Sequence, residues 1–269
     1  MTSLLTRFAA LAAMVCVSSA AMAHSDVLVR SSGGQTVLGA AEDLDAEEGG
    51  PFFDLETKAF EIVLLNPALP NLAFSYDFER DEPGFFSAPA VPVGDALPAN
   101  AGLTLTPSAF SIGLGSGNDT VFYWDGTGAV DFEALSTAQP GVSFEAGILT
   151  PLVTDGAGSI DNHPLFGLDG GAADGVYLSS YTVTVDGLDA SAPIYFVALA
   201  DSTLTLEDDA ELVEEALEEF EEGNIAAPIV GGVDYTFYEE AVEFAEGIPE
   251  PSAVLIALVA TVGFASRRR

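Results

Sequence analysis

The chain has 269 residues, of which 42 are acidic and seven are basic, so its formal net charge is −35 at pH 7. Hydrophobic residues make up 49% of the chain, which excludes a disordered polyanion, because disorder requires low hydrophobicity together with high charge. The acidic excess argues against nucleic acid and anionic lipid as partners, since both would be repelled.

Residues 1–23 have the features of a secretory signal peptide. Arg7 is followed by an apolar stretch that is too short for a membrane anchor and then by Ala21-Met22-Ala23, a small-x-small cleavage sequence. We predict a signal helix that is cleaved after Ala23, so that His24 becomes the first residue of the mature protein. The single cysteine lies inside this segment, and the mature protein is therefore expected to have no disulfide.

Residues 24–224 predict one acidic, mainly β domain, because short apolar runs alternate with Gly, Pro and Asp. The stretch "VYLSSYTVTV" alternates with period two, as a half-buried strand does, whereas "PIYFVALA" is apolar throughout and predicts a strand buried on both faces. Many short strands favour an antiparallel β-sandwich or a jelly-roll-like domain. The predicted strands are 26–30, 59–65, 72–78, 102–114, 120–124, 142–145, 176–185 and 194–200.

One acidic amphipathic helix is predicted at about residues 206–222, within the sequence "TLEDDAELVEEALEEFEEGN". We expect Thr205 to cap it, with Asp208 three residues on, and Gly223 to end it. Its apolar stripe favours a surface helix packed on the sheet. The alternative is a face that binds a partner or a cation. Residues 225–247 predict a linker or a small last element, which is either strand or helix.

Residues 248–269 predict a short membrane-spanning tail. Residues 252–266 are apolar or small and, as a helix, measure about 22 Å, less than the roughly 30 Å of a bilayer core. Arginine side chains can extend the reach of such a helix, and the basic cluster is expected to stay cytoplasmic. Pro249 and Pro251 would keep the preceding backbone extended at the outer membrane surface, where a membrane protease can reach it.

This tail resembles the PEP-CTERM sorting signal. The resemblance rests on Pro249-Glu250-Pro251, the short apolar helix and the terminal cluster Arg267, Arg268 and Arg269. It implies an exosortase-type processing protease as partner and a transient anchor in the cytoplasmic membrane, followed by release to the cell surface or extracellular matrix. The alternative is an ordinary anchor that stays in place. The stretch "DGVYLSSYTVTVDGLDASAPIYFVALAD" is more loosely similar to exported PEP-CTERM proteins of planctomycete type, and it implies no site residues.

Two sets of residues are candidates for metal binding. His24 as a free N-terminus, joined by His163, would offer three nitrogens to Cu²⁺. The alternative is a frayed terminus and a surface histidine. Asp155, Asp161, Asp169 and Asp174 lie among glycines, as Ca²⁺ ligands on loops do. Their spacing fits no known calcium loop, and aspartate and glycine are also ordinary turn formers. No resident cofactor is therefore assigned.

Trp124 lies beside Phe122, Tyr123 and Asp125, which suggests either a sugar-stacking platform or a core position, and alternation on a strand favours the core. No catalytic motif is present, so we expect no enzymatic activity. A third hypothesis is a glycan-active enzyme, whose paired carboxylates would not stand out among 42 acidic residues. The sequence predicts an exported, C-terminally sorted surface or matrix protein with a structural or interaction role. The alternative is an extracellular module that binds exopolysaccharide or a metal, Ca²⁺ or Cu²⁺.

Overall fold

The computed structural model describes residues 25–42, 51–67, 76–113, 118–148 and 150–249. The predicted signal peptide, His24, most of the predicted strand 72–78 and the tail from Glu250 onward therefore lie outside the described residues. Within these ranges no helix has the length and apolar character needed to cross a bilayer. The predicted span at 252–266 lies outside these ranges and stays a prediction.

The described chain is mainly β, with sheets that are mostly antiparallel and with three helices. The strands are β1 (Asp26–Ser32), β2 (Gln35–Glu42), β3 (Phe52–Phe53), β4 (Ala59–Leu64), β5 (Phe78–Arg80), β6 (Phe85–Ser87), β7 (Leu103–Pro107), β8 (Val121–Trp124), β9 (Glu133–Ala134), β10 (Ser143–Gly147), β11 (Ile160–Asn162), β12 (Leu165–Asp169), β13 (Gly175–Val185), β14 (Ile194–Ala200), β15 (Ile229–Val230) and β16 (Val233–Asp234). The helices are α1 (Leu135–Ala138), α2 (Glu207–Glu221) and α3 (Thr236–Glu246).

A central sheet organises the domain. Its strand order is β4, β14, β13, β8 and β9, and β7 pairs with the second half of β13. The pairs are antiparallel except for β14 with β4, which is parallel. Every residue of β14 is buried, as predicted for a strand covered on both faces. β13 is buried throughout its first half and alternates only from Thr182 onward, because helices cover just its first half.

The first core lies on one face of the central sheet. Phe60 of β4, Tyr177 of β13 and Phe196 of β14 pack there against side chains of β1, β2, β10 and β12. Strands β1 and β2 form a hairpin, and β6 pairs in parallel with β1. Strands β5, β10 and β12 form a separate sheet of three strands. Sheets thus cover this face of the central sheet.

The second core lies on the opposite face, where α2 and α3 pack on β4, β13 and β14. Helix α2 buries Ala210, Val213 and Leu217, which confirms the predicted packed helix. Gly223, with a φ of +74°, follows its end as expected. The predicted Thr205 cap is wrong. The capping position is Leu206, and its amide donates to the Asp209 carboxylate at 3.1 Å.

The segment 225–247 contains a packed element. Helix α3 buries Tyr238, Ala241, Val242 and Ala245 in the second core. The Tyr238 hydroxyl accepts a hydrogen bond from the Ile62 amide at 3.0 Å and donates one to the Val197 carbonyl at 2.7 Å. These two bonds join α3 to β4 and β14, so the small element is part of the folded domain.

The predicted strands at 26–30, 59–65, 120–124, 142–145, 176–185 and 194–200 are confirmed to within a few residues. The predicted strand 102–114 is shorter, because β7 ends at Pro107. Sequence analysis missed β2, which has a glycine and two alanines in its second half and few branched side chains. It also missed β12 and the three-residue strands, which are too short for a periodic signal.

The two arginines in the described ranges are buried and bind groups inside the domain. Arg30 is 1% exposed, and its guanidinium donates to the carbonyls of Ala88 at 2.7 Å, Val93 at 2.9 Å and Val91 at 3.2 Å. Arg30 thereby holds the loop after β6 against β1. Arg80 is also buried and contacts Glu82, Glu207 and Glu214, which ties β5 to α2.

We expect Arg30→Lys to lower the free energy of unfolding by about 3 kcal/mol, because an ammonium group cannot satisfy three carbonyls arranged around a planar guanidinium. Chemical denaturation measures the loss, and hydrogen exchange should show lower protection in the 88–94 loop. Lys58→Met is the control. Lys58 is half-buried and bonds only the Ile248 carbonyl among the described contacts, so its loss should cost less than about 1 kcal/mol. Equal losses in the two variants would contradict this role for Arg30.

Candidate functional site

The first group of metal-ligating side chains contains Asp26, Asp161 and His163, whose ligand atoms lie within 4.8 Å of one another. Asp26 stands at the start of β1, Asp161 is in β11, and His163 follows that strand. The pairing of β11 with β6, and of β6 with β1, brings these elements together. His163 Nε2 lies 3.6 Å from Asp161 Oδ1. The structure thus places two predicted ligands beside a third that was not predicted.

The ring of His163 is oriented by a backbone carbonyl. Its Nδ1 lies 3.1 Å from the Asp81 oxygen, and since a carbonyl only accepts, Nδ1 carries the hydrogen. In the neutral ring the lone pair is then on Nε2, the atom that faces Asp161. Burial raises the pKa of Asp26, although His163 opposes this, and its carboxylate accepts the Gly84 amide at 2.7 Å.

Gly84 leaves the space between these groups open. A Cβ at this position would lie 2.7 Å from Asp26 Oδ1 and 2.8 Å from His163 Nε2. Any other residue would therefore push the imidazole or the carboxylate away. The first group is partly exposed, and its mixture of imidazole and carboxylate ligands suits Zn²⁺ or Cu²⁺.

The other predicted aspartates do not join this group. Asp155 accepts the amides of Ala157 and Ser159 at 2.8 Å, and Asp169 accepts the amide of Gly170. Asp174 binds the amide and the hydroxyl of Ser202 at 2.9 Å. Each carboxylate therefore stabilises a turn or a loop contact. The structure does not bring Asp155, Asp169 and Asp174 together within a group of three metal-ligating side chains in its described ranges.

Trp124 is in the core, as alternation favoured. It is 3% exposed and its ring packs edge-on against Phe132 and Phe237. Its face is therefore not open to a sugar ring. A shallow depression nearby is lined by Tyr123, Asp125, Asp131 and Glu133. The Tyr123 ring is tilted against Tyr177, and its hydroxyl donates to the Asp174 carbonyl at 2.8 Å.

The second group, which we name the carboxylate triad, consists of Glu61, Glu221 and Glu239. Glu61 lies in the middle of β4, Glu221 at the last residue of α2, and Glu239 in the first turn of α3. Their ligand atoms also lie within 4.8 Å of one another. Glu61 points to the helix-covered face of the central sheet, since its neighbours Phe60 and Ile62 face the first core.

Glu61 is the most enclosed member of the triad. Glu61 is 7% exposed, and neither of its carboxylate oxygens has a hydrogen-bond partner among the described residues. One oxygen of Glu221 and one of Glu239 are likewise buried without a partner in the described part of the chain. Glu221 and Glu239 are half-buried, so the triad is reached from solvent on their side.

The electrostatics of the triad are dominated by burial and by repulsion between carboxylates. Burial raises the pKa of Glu61 well above its ordinary value, and Glu221 and Glu239 add to the rise. Burial and Glu239 raise the pKa of Glu221 to about 9. Burial also raises the pKa of Glu239, with Glu243 adding. An empty triad is therefore stable only with protons on its carboxyl groups.

Sequence analysis missed the triad, although a signal was present. Glu61 interrupts the apolar run "AFEIVLL", where an acid at the centre of a buried strand needs a partner. Glu221 continues the buried stripe of Val213 and Leu217 along α2. These signs were hidden by the abundance of glutamate elsewhere in the chain. Of the predicted sorting residues, the structure describes Pro249, which is exposed just after α3. The rest of that motif lies outside the described ranges.

Comparisons with protein-family models, with curated proteins and with solved structures found no match to this chain. The function is therefore argued from its residues alone. The two groups offer ligands to cations, the first with a nitrogen and the second with carboxylate oxygens only.

The raised pKa values predict how stability depends on pH in a metal-free buffer. The folded triad holds protons that the unfolded chain releases above pH 4.5, so this stabilisation is fully present below pH 4.5 and is lost as pH rises toward about 9. With a chelator present, the free energy of unfolding should fall by about 2 kcal/mol between pH 5 and pH 9. The titratable neighbours that act on the triad are Glu214, Glu218, Tyr238, Glu243 and Glu246.

Urea denaturation at a series of pH values measures this slope. Glu221→Gln should flatten it, whereas Glu219→Gln, an exposed change on the same helix, should leave it as in the wild type. A stability that stays level or increases over this range in the wild type would contradict the protonated triad.

Proposed function

We propose that this chain is an exported, C-terminally sorted protein of the cell surface or extracellular matrix, with a β-sandwich-like domain and a structural or interaction role. The sheets that face each other across the first core support the sandwich-like description. An exosortase-type protease would remove the tail, and exopolysaccharide is the proposed neighbour of the released protein.

The positions of the two predicted processing signals relative to the fold support this proposal. Strand β1 begins at Asp26, just after the predicted cleavage at Ala23, and α3 ends at Glu246, just before Pro249. Removal of both signals would therefore leave every described strand and helix intact. A domain that keeps all its elements after both cuts is what export followed by C-terminal processing requires.

The surface charge supports the same role. Of the three basic residues in the described ranges, Arg30 and Arg80 are buried and Lys58 is half-buried. The surface is consequently acidic with little compensation, and its repulsion must be reduced by dissolved cations. Such a surface suits a medium rich in salt or divalent ions, and it disfavours contact with nucleic acid.

Mass spectrometry of the protein isolated from its native host tests this proposal. We expect the mature chain to begin at His24 and to lack the peptide that contains Arg267 to Arg269. A variant with Pro249→Ala and Pro251→Ala should keep its tail and stay in the membrane fraction, because an unbroken helix would withdraw the cleavage region. Recovery of the chain from the cytosol with Met1 still attached would refute export.

A second candidate function, extracellular binding of Cu²⁺ or Zn²⁺, is favoured by the first group of ligands. The hypothesis from the sequence requires His24 and His163 themselves to meet, and His24 lies outside the described residues. Asp26, two positions after His24, lies beside His163 in the structure, and Gly84 keeps the space between them open. Two residues of extended chain cover at most about 7 Å, so the proposed N-terminal ligand is within reach.

Titration of the mature protein with Cu²⁺ and Zn²⁺ tests this candidate. His163→Ala should lower the affinity for the metal that binds more tightly by at least about tenfold, because the imidazole is a dominant ligand. Gly84→Ala should weaken it as well, through the Cβ that would displace the ring. Asp131→Asn changes an exposed carboxylate outside the first group and should bind as the wild type does. Unchanged affinity in His163→Ala would exclude this site.

A further inference from the structure

The carboxylate triad joins three elements that are distant in sequence. Glu61 comes from the central sheet, Glu221 from the end of α2, and Glu239 from the start of α3. The triad therefore sits where both helices of the second core meet the edge strand β4. A single group that binds all three carboxylates would therefore also hold both helices on the sheet.

Crowded surface acids are common in a chain of this composition, but Glu61 is different. It is buried among the apolar residues of the second core, and both of its oxygens lack a partner in the described structure. A buried carboxylate without a partner is strongly unfavourable unless it binds a proton or a cation. Its oxygens are directed at two further carboxylates, each of which also has one buried oxygen without a described partner.

The structure assigns to the carboxylate triad a Ca²⁺ site that clamps α2 and α3 onto β4. All three side chains supply oxygen, which suits a hard cation and disfavours Zn²⁺ and Cu²⁺. The ligand atoms of the triad lie within 4.8 Å of one another. Two ligands of one Ca²⁺ ion with bonds of about 2.4 Å are at most about 4.8 Å apart, so a single ion can contact all three carboxylates. Mg²⁺ has shorter bonds, a strict octahedron and a preference for retaining water, so it fits three protein carboxylates less well.

The site has access and a rigid base. Glu221 and Glu239 are half-buried, so the triad is partly open to solvent on their side. Beneath it, Tyr238 bonds the backbone of β4 and β14 and so fixes the first turn of α3 beside Glu61. This inference stands independently of export and of the first ligand group, which lies elsewhere on the chain.

The test uses the protein purified from its native host, in whichever form it is recovered, and treated with a chelator. Addition of 10 mM Ca²⁺ at constant ionic strength should raise the melting temperature by about 5 °C, as expected for a site of extracellular affinity. The same concentration of Mg²⁺ should give less than half this shift. Hydrogen exchange should show the added protection in α2 and α3.

Matched variants separate a specific site from general screening of negative charge. Glu61→Gln and Glu240→Gln each remove one charge, but Glu240 is exposed beside Glu239 on α3 and outside the triad. We expect the Ca²⁺-dependent shift to disappear in Glu61→Gln and to persist in Glu240→Gln. Glu239→Gln should behave like Glu61→Gln, and it replaces that variant in the comparison if Glu61→Gln does not fold.

The absence of a Ca²⁺ shift in the wild-type protein would overturn the inference. So would a shift of wild-type size in the triad variant, because the stabilisation would then arise from screening of the acidic surface as a whole. A triad occupied only by protons would give the first of these results.

Discussion

The structure depends on a central sheet that must be covered on both faces. Every residue of β14 is buried, and alternate residues enter the first and the second core. The hydrophobic effect therefore requires a layer on each side. Paired strands supply one layer, and α2 and α3 supply the other. Both helices attach to the sheet through their buried apolar residues, and the hydrogen bonds of the Tyr238 hydroxyl and the contacts of Arg80 with α2 add polar links.

The distribution of charge follows from this layering. In a chain with so few basic residues, both buried arginines hold a loop or a helix in place, and neither is available to neutralise the surface. Glu214 shows the limit of this arrangement: burial raises its pKa to about 8, even though Arg80 opposes the rise. The carboxylate triad is further from any arginine contact, and its charge can be neutralised only by protons or by a cation.

Periodicity predicted the parts of the fold whose residues are strongly apolar. β14, β13 and α2 were found because their patterns extend over seven residues or more. β2 and β12 were not found, since Gly39 and Gly167 interrupt runs that are stable only through their neighbours. For the sites, local composition identified His163 and Asp161, but it could not identify Asp26 or Glu239. Those residues become neighbours only through pairing of distant strands and packing of α3, and a single sequence carries no record of such contacts.

A weak calcium site made of three carboxylates has a consequence that depends on the compartment. With a dissociation constant near those of extracellular modules, about 10⁻⁴ to 10⁻³ M, the inferred site would be empty at the low Ca²⁺ of a cytosol and filled outside the cell. Where Ca²⁺ is low, protons would neutralise the triad, and no ion would join α2 and α3 to β4. If the chain is exported as proposed, the ion would join them outside the cell. Because the ion binds the folded state, the gain in stability would appear where the proposed function requires it.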